Sequence, residues 1–109
     1  MFNKMVEKRK IRRAARTIVE NFSPRKIILF GSHACGKQDE GSDVDLLVVL
    51  KAAKNNLDAA VAIRQAIDHD FPIDIIVRTP KQIEQRLRWG DSFIKEIMEK
   101  GEVLYEAPG

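Results

Sequence analysis

The chain has 109 residues, 44% of them apolar and 32% charged, and a formal net charge of +3. That length suits one domain, 1–109, with a core that needs no staples, and the apolar share with so small a net charge excludes a disordered chain. A single cysteine, Cys35, and two histidines, His33 and His69, exclude an internal disulfide and a structural zinc site.

No apolar run is long enough to span a bilayer. The basic first residues have no apolar stretch behind them, so no signal peptide is expected. A soluble cytoplasmic protein with no membrane contact is expected.

The elements follow each other with short connections. A helix is predicted over about residues 4–22, where Ile11, Ala14, Ala15, Ile18, Val19 and Phe22 recur at steps of three and four. Ser23-Pro24 ends it, because the residue before proline avoids the helical region. Lys26 to Phe30 is a short apolar strand. Residues 31–42 hold Gly31, Gly36 and Gly41 and read as a loop, with one helical turn after Ser32. Residues 43–50 (DVDLLVVL) form a second strand, apolar on both faces beyond its start, the pattern of a central strand covered on both sides.

Leu57, Ala60, Val61, Arg64, Ile67 and Phe71 mark a helix over about 57–70. Pro72 opens a third strand, 73–78. Thr79-Pro80 then places a cap residue before a proline at the first helical position, starting a helix with Ile83 and Leu87 on its inner face. Gly90-Asp91 breaks it. A last helix carries Phe93, Ile94, Ile97 and Met98 as far as Gly101, and 102–106 is a terminal strand. The order α-β-β-α-β-α-α-β describes an α+β fold, a mixed β-sheet with helices packed on it.

Positive charge is concentrated at the start. Lys4, Lys8, Arg9, Lys10, Arg12, Arg13 and Arg16 face only Glu7 among the first sixteen residues, so the remainder is net acidic. A solvated helix face accounts for this, as does a face turned to an acidic partner or RNA. No aromatic residues interleave with the basic ones, which argues against a stacking platform for single strands, and nucleic acid is not the expected partner.

Three acids stand where apolar residues would otherwise go. Gly31-Ser32 follows the first strand, Asp43-Val44-Asp45 starts the second after ten intervening residues, and Asp74 interrupts the third. Residues two apart on a strand share a face, so Asp43 and Asp45 point the same way, and Asp74 joins them if strands two and three are neighbours. Three carboxylates in a half-buried cluster repel one another and resist desolvation. A cation relieves both costs, and an all-oxygen donor set suits Mg²⁺ or Mn²⁺. Two such ions clamp the attacking and leaving oxygens of a phosphoryl-type displacement. Gly31 lets backbone approach a ligand, and Ser32 can cap a turn whose free N–H groups bind an anion. A triphosphate between that turn and two metals makes a coherent site. Gly31 to Lys37 (GSHACGK) also fits the opening of a P-loop, but Gln38 stands where Ser or Thr must bind Mg²⁺, so that reading is rejected.

With its turn Phe30-Gly-Ser-His-Ala-Cys-Gly36 and its strand Ser42-Asp-Val-Asp-Leu-Leu-Val48, the chain resembles the nucleotidyltransferase superfamily that includes DNA polymerase beta. Within it, the chain is similar to the minimal nucleotidyltransferases found beside HEPN-domain proteins in toxin–antitoxin pairs. The resemblance implies a polymerase beta palm-like fold. It also implies that Gly31 and Ser32 hold the β- and γ-phosphates, that Asp43 and Asp45 bind both Mg²⁺ ions, and that Asp74 binds the catalytic one and helps activate the acceptor hydroxyl. The implied reaction moves AMP from ATP to a hydroxyl, a tyrosine of a HEPN-type toxin, with pyrophosphate leaving. Many members carry arginine where this chain has Cys35, a departure that Lys37 could offset. Larger members hold the acceptor on a second domain, so here the acceptor is expected from a partner chain or a second copy. An antitoxin acting by binding alone, with a vestigial site, and a nucleotidyltransferase acting on a small molecule are the alternatives.

The remaining marked residues are given structural expectations. His33 is expected to be an exposed spacer, His69 to lie at the surface, Trp89 to pack in the core at the helix junction, and Tyr105 to be a packed residue of the last strand.

Overall fold

Alternation within the strands decides which helices cover which face. The computed structural model describes residues 8–34 and 43–108. The expected start of the first helix before Lys8 lies outside them, as does the loop with Cys35, Gly36, Lys37 and Gly41. Among the described residues the order is α1 (Lys8–Phe22), β1 (Lys26–Phe30), a 3-10 turn (Gly31–His33), β2 (Val44–Val49), α2 (Asn56–Ala66), β3 (Ile73–Arg78), α3 (Pro80–Arg88), α4 (Ser92–Lys100) and β4 (Glu102–Glu106). The four strands form one mixed sheet in the order β3-β2-β1-β4. β1 runs antiparallel to β2 and β4, and β2 runs parallel to β3.

β2 is therefore an inner strand, as its apolar run required. Its Val44, Leu46 and Val48 join Ile27 and Leu29 of β1 and Ile73 and Val77 of β3 on one face, under Ile11, Ala14, Ala15 and Ile18 of α1 and Ile63 of α2. The intervening Leu47 and Val49 pack with Ile28 on the other face, under Ile83 of α3 and Ile94 and Ile97 of α4. Asp45 belongs to this second row, two residues before Leu47.

Local signals set most boundaries. Ser23 ends α1 in the left-handed region, at φ 47°. Thr79 caps α3 in a reciprocal box, its hydroxyl accepting from the Gln82 N–H while the Gln82 side chain accepts from the Thr79 N–H. The Asp91 carboxylate caps α4 through the N–H groups of Phe93 and Ile94. Tyr105 packs against the core, as expected.

Several sequence expectations need correction. α2 stops at Ala66 rather than near residue 70, because Ile67 turns extended and the polar run Asp68-His69-Asp70 leads to a proline. Its inner stripe is Ala59, Ala60 and Ile63, which leaves Leu57 72% exposed and Val61 exposed as well. Leu87 is also exposed, so Ile83 alone anchors α3. Trp89 is 67% exposed instead of packed at the helix junction, and it directly precedes the left-handed turn at Gly90. His69 is only partly at the surface: its Nδ1 lies 2.8 Å from the Phe71 carbonyl oxygen. The basic face of α1 is partly ion-paired, with Lys8 on Glu102 and Lys10 on Asp70, while Arg12, Arg13 and Arg16 are exposed.

Candidate active site

The site lies where β1 ends and β2 and β3 begin. Phe30, the last residue of β1, is the pairing partner of Asp45. Asp45 in turn faces Asp74 directly across the parallel β2–β3 ladder. Direct partners on adjacent strands point to the same side of a sheet, so the two carboxylates share the α3/α4 face. Ile76, two residues beyond Asp74, packs against that same cluster. Asp43 sits just before β2 rather than inside it, and is exposed.

The Gly31 turn closes over this pair from the β1 side. Gly31 has φ 76°, a conformation that side chains rarely take. The Ala34 N–H donates to the Gly31 carbonyl oxygen at 3.1 Å, which holds the turn. A Cβ built on Gly31 would overlap Asp45 Oδ2. The absence of a side chain at residue 31 is therefore what lets the backbone of the turn lie against the carboxylate.

Charge crowding is visible at Asp45. Its carboxyl is held above the ordinary value of 3.8, first by burial, then by the charge of Asp74, then by that of Asp43, with His33 pulling the other way. Both of the other predicted acids thus act on Asp45. Among the described residues no group of three or more His, Cys, Asp or Glu side chains is placed to hold a metal ion. The donor chemistry nevertheless suits a hard divalent cation: three carboxylates, crowded enough to shift a proton equilibrium, with no soft donor among them.

The sequence expectation for His33 was wrong in one respect. It is buried, 7% exposed, and its charge opposes the two acids at Asp45. A short turn packed down on β2 gives residue 33 no route to solvent. Ser32 is half-buried in the same turn.

Residues from α4 line a cavity beside these acids, and sequence reasoning did not find them. A cavity of about 330 Å³ is lined by Gly31, Ala34 and Asp45 on one side and by Phe93, Glu96 and Lys100 on the other. The Phe93 ring meets the Phe30 ring edge to face, centroids 5.7 Å apart. Phe93, Glu96 and Lys100 recur at helical spacing, which was legible, but nothing local says which strand end that stripe overhangs. A larger hollow of about 460 Å³ lies between α1 and β4 and contains none of the predicted site residues.

Comparison with known proteins bears on the family and the fold. The sequence profile of the nucleotidyltransferase domain matches residues 8–104. Two Methanocaldococcus jannaschii proteins are similar over most of their length. MJ0604, named a putative protein adenylyltransferase, is 32% identical over 83 residues, 74% of this chain and 78% of its own. MJ0141, named likewise, is 33% identical over 76 residues, 70% of this chain and 74% of its own.

Among solved structures, a putative nucleotidyltransferase from Sulfolobus solfataricus superposes with a TM-score of 0.64 at 19% identity, over 90% of this chain and 78% of that one. A toxin–antitoxin structure with AMP-PNP superposes with a TM-score of 0.59 at 21% identity, over 94% of this chain and 75% of that one. These two establish the shared fold. The profile match and the two relatives carry the assignment: this chain is a nucleotidyltransferase and belongs to the nucleotidyltransferase domain family.

Proposed function

We propose that the chain is a protein adenylyltransferase that moves AMP from ATP to a hydroxyl of a partner protein, and that the acceptor is a tyrosine of a HEPN-type toxin. The observation that carries this is the Asp45–Asp74 pair, face to face across β2 and β3 beneath a side-chain-free turn at Gly31. The names of the two relatives favour protein over small molecule as acceptor. The toxin–antitoxin neighbour, solved with an ATP analogue, favours a toxin as that protein.

Each residue has a task. Gly31 and Ser32 bind the β- and γ-phosphates through the turn, and Asp43, Asp45 and Asp74 would hold two Mg²⁺ ions. Those ions neutralise charge on the attacking and leaving oxygens when bound. Asp74, exposed on the flank away from Gly31, receives the acceptor hydroxyl and takes its proton. The hydroxyl oxygen forms a bond to the α-phosphorus while the bond from that phosphorus to the bridging oxygen breaks. The electron pair leaves with pyrophosphate.

Label transfer tests this. The purified chain, Mg²⁺ and a host lysate are incubated with ATP labelled at the α- or the γ-phosphate, and products are run on a denaturing gel. A protein band labelled only from the α-phosphate, and lost in Asp43→Ala, is expected. A band labelled only from the γ-phosphate would mean a kinase. No band with either label would return the reading to an antitoxin acting by contact or to a small-molecule acceptor.

A further inference from the structure

α4 ends against the site, and its end is held tightly. Gly101, the next residue, has no room for a side chain: a Cβ there would overlap Ile28 Cγ2 and would lie 3.1 Å from the Leu29 carbonyl oxygen. The helix terminus is thereby seated on β1, and Lys100, its last residue, lines the same cavity as Gly31 and Asp45. Among the described residues no ion pair holds Lys100, although Glu96 lies one turn back on the same wall. A lysine in a last helical turn is ordinary, since the helix dipole favours it there. The dipole does not explain why it shares a cavity with the phosphate turn and a half-buried carboxylate.

Sheet order separates two approaches to Asp45. β3, with Asp74, lies on one flank of β2, and β1, with the Gly31 turn and α4, lies on the other. The cavity is lined by Gly31 and Asp45 but not by Asp74. If the acceptor enters beside Asp74, the nucleotide's phosphates occupy the β1 flank, beneath α4.

We propose that Lys100 is a phosphate-binding residue of this site, its ammonium pairing with the β- and γ-phosphate oxygens of the bound triphosphate and then with the leaving pyrophosphate. This rests on the adenylyltransfer reading above for which phosphates leave. It adds a cation from α4, an element with no part in the Gly-Ser and Asp-x-Asp motif. Lys100 gives up no proton in the step, because the pyrophosphate's new charge is met by an existing ammonium.

The test is equilibrium binding to the full chain with Mg²⁺, using a fluorescent ATP analogue displaced by unlabelled ATP or by inorganic pyrophosphate. Lys100→Ala should weaken ATP and pyrophosphate by the same factor, about 10- to 100-fold, the range for one charge-assisted hydrogen bond. Lys100→Arg should restore most of the loss, and Lys95→Ala, on the same helix but outside the cavity lining, should weaken neither. Unchanged pyrophosphate affinity in Lys100→Ala would overturn the proposal, even if ATP binding fell. An equal loss in Lys95→Ala would overturn it too, by showing that general positive charge on α4 rather than the cavity position matters. Wild-type protein that binds ATP and pyrophosphate through Lys100 but labels no acceptor would overturn the adenylyltransfer reading and leave this one standing. Wild-type protein that binds neither would overturn both.

Discussion

Gly31 and Gly90 form a natural matched pair for testing the close approach at the site. Both have left-handed backbones, φ 76° and 79°. A Cβ on Gly90 would meet nothing within 4 Å, whereas one on Gly31 would overlap Asp45 Oδ2. Alanine at either position therefore pays the same backbone strain, about 1 kcal/mol, which lowers Tm by about 5 °C for a domain of this size. Only Gly31→Ala carries a second effect. The Asp45 carboxylate is the end of a short side chain and can swing aside, so the overlap adds little to the stability loss, but the swing displaces a proposed metal ligand by roughly an ångström. Displacement on that scale costs about 100-fold in kcat. The assay is thermal unfolding beside AMP transfer for the two variants. Similar melting losses with activity lost only in Gly31→Ala are expected. Equal activities would refute the claim that the missing side chain at residue 31 positions Asp45.

Two further outcomes follow from the charges. Asp45 titrates above 3.8 in the folded chain, so the folded state binds more protons than the unfolded one between those two values, and stability falls as pH rises through a window that opens at 3.8. The penalty is absent below the window and complete above it. Metal-free Asp45→Asn should therefore resist urea better than wild type at neutral pH and equally near about pH 3; a variant weaker than wild type at neutral pH would refute the repulsion. With Mg²⁺ and ATP at about a hundredfold excess over Kd, wild type should gain about 2.7 kcal/mol, and removing the metal with a chelator should abolish the gain. An equal gain in Asp43→Ala/Asp45→Ala would place the ions elsewhere.

Periodicity carried the fold and failed where two stripes competed. The run Asp43 to Leu50 reads as a central strand covered on both sides, and β2, Val44–Val49, lies between β1 and β3 with both faces packed. Thr79-Pro80 announced a cap that the structure completes with Gln82. In α2, by contrast, Leu57 and Val61 compete with Ala59, Ala60 and Ile63. The smaller residues won the inner face, because alanines let the helix lie close to β3 while Ile63 fills the gap. Burial of His33 was equally invisible, since a loop residue's exposure depends on what packs over it. Of the site, the motif positions were readable residue by residue; that Asp45 and Asp74 face each other depends on strand order, which no local pattern contains. The α4 wall depends on a helix crossing over β1, and was illegible for the same reason.

One row of side chains explains why the chemistry sits at this end of the sheet. Asp45, Leu47 and Val49 share a face of β2, and Asp74 and Ile76 share it on β3. From Leu47 and Ile76 onward that face is covered by α3 and α4, and apolar side chains fill it. At Asp45 and Asp74 the helices no longer close over the sheet, so water, a cation or a phosphate can reach it. A carboxylate there is half-buried on Asp45 and exposed on Asp74, which spreads the desolvation cost unequally. The more buried acid is crowded enough to favour a cation, and the exposed one is free to meet a hydroxyl arriving from outside. Because β1 and β3 flank β2 on opposite sides, the proposed transfer would bring its donor and acceptor to Asp45 from different directions, the separation that an in-line displacement requires.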